Sequence, residues 1–193
     1  MIWKTLARRS RTVQATSPGT AHLHTDRLHT DRLHTDRLDL SAARLADIPD
    51  LYAFLGDRNA MRFTQCDESF AACRKRVLVH EWFRRRDGFA PWVVRLRETN
   101  DIIGWGGLYN DPFDPGWGPE LGYYLAPMAW GKGIGRELAN AALKYGRENT
   151  SIKSLTAFAH PDNVPSRKLL LGLGFEPAGF VKAMNRNRFT FLL

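Results

Sequence analysis

Apolar side chains recur every three or four residues in three stretches of this chain, and this spacing predicts three amphipathic helices. The first follows Asp47, which we expect to cap it, and has Pro49 in its first turn. The second runs from Ser69 to Arg86, and the third begins at Ile134. On the second helix we expect an apolar side (Cys73, Val77, Leu78, Trp82 and Phe83) and a solvated last turn (Arg84, Arg85 and Arg86).

Short runs of β-branched and aromatic residues between and after these helices predict strands. Three of them, at 92–97, 102–109 and 120–125, are separated by turn sequences and form an antiparallel meander. A strand at 155–159 follows the third helix, and this order of strand, helix and strand predicts a parallel pairing. Two more strands, at 175–181 and 188–193, complete the chain. The expected fold class is therefore α/β (α+β, one mixed sheet), mostly antiparallel with a central parallel pair.

The composition favours one folded domain without membrane contact. The 193 residues are 44% hydrophobic and 25% charged, which suffices for one substantial core. No apolar run approaches the roughly 18 residues of a membrane-spanning helix, so we expect a cytoplasmic protein. The formal net charge of +8 favours anionic cofactors, acidic proteins or RNA over polycationic acceptors. Cys66 and Cys73 match no zinc or redox spacing, and we assign them no chemistry and expect no metal.

Residues 1–34 carry a basic, repetitive sequence that we expect to be a disordered tail ahead of a domain at 35–193. The residues His-Thr-Asp-Arg-Leu occur three times in tandem, and the last copy, which starts at His34, suffices to enter the first strand. The clustered histidines suggest a metal site, but a period of five alternates faces on a strand and rotates about 140° per step on a helix. They therefore cannot share one face. A targeting peptide is an alternative interpretation of the first 20 residues.

A glycine-rich turn joins the strand that ends at Leu125 to the third helix. Its three alternating glycines leave room for an anion beside the free N–H groups of the helix start. The turn is not a Walker loop, because Gly133 stands where Ser or Thr must follow Gly-Lys, and not a dinucleotide fingerprint, because its sixth position is Leu138. It is a candidate diphosphate site built on Gly131, Gly133 and Gly135.

Residues 130–135, Trp-Gly-Lys-Gly-Ile-Gly, resemble motif A of the GNAT superfamily of N-acetyltransferases, whose pattern is Gln/Arg-x-x-Gly-x-Gly/Ala. Most members have Gln or Arg in the first position. The form with Trp in that position resembles the branch of ribosomal-protein N-terminal acetyltransferases, the RimJ/RimL-like branch. Residues 160–175, with Asn-x-x-Ser and a later Leu-Gly-Phe, resemble motif B of that branch. The segment 35–40 resembles its first strand, and the likeness extends over 35–193.

This resemblance implies a GNAT-like acyl-CoA N-acyltransferase fold whose central parallel strands splay apart at the cofactor site. It implies transfer of acetyl from acetyl coenzyme A (acetyl-CoA), the co-substrate, to a primary amine by direct attack in a ternary complex. The backbone N–H near Leu125 would bind the thioester oxygen, and the amides of 131–136 the diphosphate. The implied cofactor residues are Leu125, Trp130, Gly131, Lys132, Gly133, Ile134, Gly135, Arg136, Asn163, Ser166 and Lys168.

Proton transfer requires an acid and a base. By resemblance, Ser166 donates or relays a proton to the leaving thiolate. Glu120, at the start of the strand leading to motif A, is the first candidate for the base that takes the proton of the amine. His160 is the second candidate because its reference pKa is about 6.5. Asp111 and Asp114 are further alternatives.

The acceptor is the least determined part of the hypothesis. An α-amine with a pKa of about 8 is roughly one-tenth neutral at pH 7, whereas a lysine is neutral in fewer than about one molecule in a thousand. A weak base therefore suits a protein or peptide N-terminus. A small-molecule amine, including an antibiotic, is an alternative. An alternative of another class is a non-catalytic protein that binds RNA or the ribosome through its arginine-rich tail and through Arg84, Arg85 and Arg86. We nevertheless expect no nucleic acid partner. A homodimer is left open.

Overall fold

The computed structural model describes residues 32–193, which form an eight-stranded sheet with helices on both faces. The strands are β1 (Arg32–His34), β2 (Leu38–Ser41), β3 (Trp92–Leu96), β4 (Ile102–Asn110), β5 (Pro119–Leu125), β6 (Ser154–Ala159), β7 (Glu176–Val181) and β8 (Arg186–Leu192). The helices are α1 (Ile48–Leu55), α2 (Phe70–Asp87), α3 (Ile134–Asn149) and α4 (Val164–Leu171). The strand order is β1-β2-β3-β4-β5-β6-β8-β7, and only β5 and β6 are parallel neighbours. The predicted mixed sheet with one central parallel pair is confirmed.

The first strand of the sheet lies in the segment that we expected to be a tail. β1 pairs with β2 in an antiparallel hairpin that places Leu33 opposite Leu40. The turn is closed by the backbone N–H of Thr35, which donates to the Leu38 carbonyl at 2.9 Å. The last two copies of the five-residue repeat thus contribute to a hairpin. The expectation of disorder for residues 1–31 lies outside the described residues.

The start of α1 differs from the expected cap. Asp47 directly precedes the helix, but its side chain accepts no hydrogen bond from the first turn of α1. Its carboxylate instead accepts the backbone N–H of Arg44 at 2.8 Å and pairs with the Arg95 guanidinium at 2.5 Å. Asp47 therefore fastens a preceding 3-10 turn (Leu45–Asp47) to β3, a partnership that local sequence cannot reveal.

The inner face of α2 is more polar than we predicted. Its buried residues are Cys73, Arg76, Val77, His80 and Arg84, whereas Trp82 is 59% exposed. The Arg76 guanidinium binds the Asp67 carboxylate at 2.8 Å, and Arg84 donates to the carbonyls of Ala90 and Pro91. The prediction of a solvated Arg84 and an inward Trp82 was wrong, because partners just outside the ends of the helix allow its charged groups to be buried.

Both faces of the sheet are covered by packed apolar side chains. On β3, the neighbours Val93 and Val94 point to opposite faces, as successive strand residues must. Val93 packs with α1 and α2, and Val94 packs in the larger cluster that includes Leu138 of α3 and Leu170 of α4. No helix within residues 32–193 is long and apolar enough to cross a membrane.

Candidate active site

The two parallel strands separate at the centre of the sheet. One residue pair, Glu120 with Thr156, connects β5 to β6. Toward the end of β5, the Ala126 N–H donates to the Ile103 carbonyl on the β4 side at 2.9 Å. Because N–H groups alternate sides along a strand, the N–H of Leu125 points away from β4 into the gap between β5 and β6. A ligand inserted there would meet this donor.

The gap opens into a cavity of about 570 Å³ between β5, α3 and α4. The wall on the opposite side is formed by residues 60–64, which follow α1. Of the eleven residues that the sequence placed at the cofactor, ten line this cavity: Leu125, Trp130, Gly131, Gly133, Ile134, Gly135, Arg136, Asn163, Ser166 and Lys168. Lys132 does not line it. The volume lies in the range of about 300–1,000 Å³ that is usual for small-molecule sites.

The glycine turn at one end of this cavity fits a diphosphate. Gly131 and Gly133 have φ values of 71° and 77°, a left-handed conformation that other residues rarely adopt. A Cβ on Gly131 would meet no atom within 4 Å, so the space beside its backbone is open. The 16-residue helix α3 begins directly afterwards at Ile134 and presents its N-terminal amides and positive dipole end.

Side chains from the first hairpin hold this turn in place. The Arg37 guanidinium donates to the Lys132 carbonyl at 2.8 Å and pairs with Glu137, in the first turn of α3, at 2.6 Å. Thr35 also donates to Glu137 at 2.5 Å. Burial alone would raise the pKa of Glu137, but the hydrogen bonds from Thr35 and Arg37 outweigh it and lower that pKa. This contact was not predicted from the sequence, although the segment 35–40 resembles the first strand of the family.

Two residues predicted to bind the cofactor, Trp130 and Arg136, also have hydrogen-bond partners within the protein. The Trp130 indole N–H donates to the Leu125 carbonyl at 2.9 Å and so braces the end of β5. The Arg136 guanidinium donates to the Gly172 carbonyl at 3.1 Å, which links α3 to the loop after α4. Arg136 borders the cavity with this contact in place. Lys168 lines the cavity from α4.

A hydroxyl pair lies where the splayed strands meet α4. The Oγ atom of Ser166 is 2.9 Å from the Tyr123 hydroxyl. The Asn163 side chain caps α4 by accepting the backbone N–H of Ser166 at 3.2 Å. Burial raises the pKa of Tyr123 to about 12, and its hydrogen bond with Ser166 opposes part of this rise. Both hydroxyls therefore hold their protons at neutral pH. Tyr123 was missed because a tyrosine in an apolar strand is typical of core packing.

Glu120 lies in a second, smaller cavity of about 230 Å³ that shares Tyr123, Asn163 and Ser166 with the first. The side chain is 5% exposed. Burial raises the pKa of Glu120 to about 8, and the negative charges of Asp111 and Asp114 add to this rise. A long hydrogen bond from the Tyr109 hydroxyl, at 3.4 Å, acts in the opposite direction.

The Glu120 carboxylate and the hydroxyl pair of Tyr123 and Ser166 lie on opposite faces of β5. Glu120 and Tyr124 share one face, and Tyr123 and Leu125 share the other, since side chains alternate along a strand. Tyr124 packs against the α1 and α2 side, whereas Tyr123 packs with the cluster of α3 and α4. A reacting group in the gap would therefore have a carboxylate on one side and the hydroxyl pair on the other.

The other candidate bases are less available. The Nδ1 atom of His160 accepts the backbone N–H of Asp162 at 3.1 Å, and Nε2 is 3.1 Å from the Asn185 amide. His160 lines the smaller cavity with both ring nitrogens engaged. Asp111 also lines it, whereas Asp114 does not and instead accepts the Trp117 indole N–H at 3.3 Å.

Comparison with known proteins places this geometry in a family. Residues 37–176 match the family model of the acetyltransferase (GNAT) domain. The chain belongs to the GNAT acetyltransferase family. A curated relative is the uncharacterized N-acetyltransferase p20 of Bacillus licheniformis, 32% identical over 89 residues. That match spans 46% of this chain and about half, 49%, of the relative.

Solved acetyltransferase structures share the fold. An acetyltransferase from Agrobacterium tumefaciens has a TM-score of 0.70 at 19% identity, with 94% of this chain and 98% of that chain covered. RimL, a ribosomal L7/L12 alpha-N-protein acetyltransferase solved in complex with coenzyme A, has a TM-score of 0.69 at 18% identity. That likeness covers 82% of this chain and 96% of RimL. At these identities the likeness concerns the fold.

A metal site or a reactive thiol would be a further source of chemistry in the described residues. Within residues 32–193, no group of three or more His, Cys, Asp or Glu side chains could hold a metal ion. Cys66 and Cys73 are free cysteines, and burial raises the pKa of the Cys73 thiol to about 12. At neutral pH the Cys73 thiol is therefore protonated and a poor nucleophile.

Proposed function

We infer that this GNAT protein transfers the acetyl group of acetyl-CoA to a primary amine by direct attack in a ternary complex. One observation carries the proposal: an open glycine turn at a helix start faces a cavity that continues into a second one holding a buried carboxylate. The hydroxyls of Ser166 and Tyr123 lie at the junction. Acetyl-CoA would supply an acetyl group activated as a thioester.

The binding residues follow from the cavity. The amides of residues 131–136 would hold the diphosphate, and Asn163 and Lys168 would contact the remainder of the cofactor. The Leu125 N–H would donate to the thioester oxygen. Because this donor is already fixed by the pairing of β5 with β4, its interaction strengthens as negative charge develops on that oxygen. Changing the side chain of Leu125 should therefore affect the rate little.

In this proposal the amine attacks from the face of β5 that carries Glu120, and the thiolate leaves on the face of Tyr123 and Ser166. Glu120 would take the proton of the amine, directly or through water. With a pKa of about 8, roughly one-tenth of Glu120 is ionised at pH 7. This pKa is well matched to that of an α-amine, which is also about 8. Ser166, backed by Tyr123, would donate a proton to the leaving sulfur. His160 is the second candidate for the base.

We propose an N-terminal α-amine of a protein or peptide as the acceptor and the RimJ/RimL-like branch as the closer affiliation. The Thr35 to Leu40 opening, the Trp130 form of motif A and the fold likeness to RimL support this affiliation. The smaller cavity, about 230 Å³, is below the usual size of drug-sized sites, which suits one terminal residue. The alternative of RNA binding is weakened, because the Arg84 side chain is buried and cannot contribute to a basic surface.

The test combines binding with product analysis. Isothermal titration calorimetry should detect acetyl-CoA binding, and mass spectrometry should detect acetylation in a screen of N-terminal peptides and small amines. Gly133→Val should lose binding, because a branched residue is strained at a φ of 77° and would distort the turn. Gly116→Val, in an exposed turn away from the cavity, is the matched control. A folded protein that binds no acetyl-CoA at millimolar concentration would contradict the proposal.

A further inference from the structure

Arg186 contributes a positive charge to the smaller cavity. It is half-buried at the start of β8, and it is the only Lys or Arg among the described residues that line this cavity. No carboxylate within residues 32–193 forms an ion pair with it. Burial lowers the pKa of the Arg186 guanidinium, as expected for a cation held partly away from water without a counter-ion.

One edge of this guanidinium remains available to a ligand. Its Nη1 atom donates to the carbonyls of Met184 and Asn185 at 3.2 and 3.1 Å. The opposite edge, formed by Nε and Nη2, has no hydrogen-bond partner in the described part of the chain. Arg84 uses the same two nitrogens to bind the Glu81 carboxylate, at 2.9 and 3.2 Å. The free edge of Arg186 is therefore the one that can bind a carboxylate through two hydrogen bonds.

The strand registers place Arg186 on the same sheet face as Glu120. Glu120 pairs with Thr156 of β6, and Thr156 pairs with Thr190 of β8. Arg186 precedes Thr190 by four residues, an even number, so all four side chains share one face. Four residues correspond to about 13 Å along the strand. The cavity thus has an acidic end at Glu120 and a basic end at Arg186.

Resting on the proposed acetyl transfer, we propose that the acceptor carries a carboxylate near its primary amine and that Arg186 binds this carboxylate. The amine then faces Glu120, and the two ends of the cavity orient the acceptor. Such a carboxylate has two sources: an acidic side chain near a peptide N-terminus, or a free amino acid. Arg186 is in this view a residue that determines specificity, while the chemical step is left to Glu120 and Ser166.

The experiment compares acceptors that differ by one carboxylate. Rates of acetylation are measured for the peptide amides Ser-Asp-Ala and Ser-Asn-Ala, and for free L-serine and L-serinamide. The member of at least one pair that carries the carboxylate should have a kcat/KM at least about tenfold higher, and the pair that shows this identifies the source. Equal rates within both pairs would overturn the inference while leaving the acetyltransferase proposal intact. Absence of both acetyl-CoA binding and transfer would overturn the two together.

Variants of Arg186 test whether this residue causes the preference for a carboxylate. Arg186→Gln should reduce the preference to within about twofold, and Arg186→Lys should retain part of it, because lysine keeps the charge but not the two-bond geometry. Arg188→Gln is the matched control. Arg188 lies on the same face, but its Nε and Nη2 atoms already donate to the Ala178 carbonyl. A preference that survives Arg186→Gln, in protein with unchanged acetyl-CoA affinity, would also overturn the inference.

Discussion

Replacing Glu120 with glutamine should make the folded protein more stable at alkaline pH while reducing its activity. The pKa of Glu120 is about 8 in the folded protein, against 4.5 for an ordinary glutamate, with burial as the main cause. Between these values the folded state holds a proton that the unfolded chain releases. The contribution of Glu120 to stability is therefore complete below pH 4.5 and is lost as the pH rises toward 8. Glutamine does not titrate and avoids this loss.

The size of the effect follows from the difference in pKa. A rise of about 3.5 corresponds to an upper limit of about 5 kcal/mol, because each pKa unit is worth about 1.4 kcal/mol. Solvent in the adjoining cavity reduces the cost, so we expect Glu120→Gln to gain about 2–4 kcal/mol relative to the wild type between pH 5 and pH 9. For a chain of this length, that gain corresponds to an increase in Tm of roughly 5–15 °C.

The measurement is thermal unfolding followed by circular dichroism at pH 5, 7 and 9. The difference in Tm between Glu120→Gln and the wild type should widen with pH. Glu98→Gln, at an exposed position in the turn after β3, serves as a control whose difference should stay nearly constant. A pH-independent difference for Glu120→Gln would show that this carboxylate ionises normally and would refute the raised pKa. Full activity of Glu120→Gln at neutral pH would exclude it as the base directly.

Three further predictions concern single contacts. Ser166→Ala should lower kcat by at least about tenfold, with acetyl-CoA affinity by calorimetry nearly unchanged. Arg37→Ala removes the hydrogen bond to the Lys132 carbonyl, and the loss of about 1–2 kcal/mol should raise the Kd for acetyl-CoA about 5- to 30-fold. Arg76→Met leaves Asp67 buried without its cation and should lower the free energy of unfolding by about 3–5 kcal/mol in a denaturant titration, which Asp67→Asn should partly restore.

Local patterns were sufficient to predict most elements of the sheet. The strands at 92–97, 102–109 and 120–125 depend on alternation and turn residues, both of which are local properties. β1 was not predicted, because a repeat of polar and charged residues becomes a strand through pairing with β2. The inward face of α2 was predicted incorrectly for a similar reason. Arg76 and Arg84 are buried because Asp67 and the carbonyls of Ala90 and Pro91, just outside the helix, bind them, and hydropathy alone does not indicate such partners.

The backbone geometry of the glycine turn was predictable because its requirements are local. Glycines at alternate positions and a helix start determine the backbone geometry that an anion needs, and these features lie within a few residues of one another. The proposed proton transfer and acceptor recognition instead depend on neighbours brought together by folding. The pKa of Glu120 rises because it is buried in the fold, and Arg186 lines the same cavity only through the registers of β6 and β8. Burial and strand register are long-range properties, and only the tertiary structure decides them.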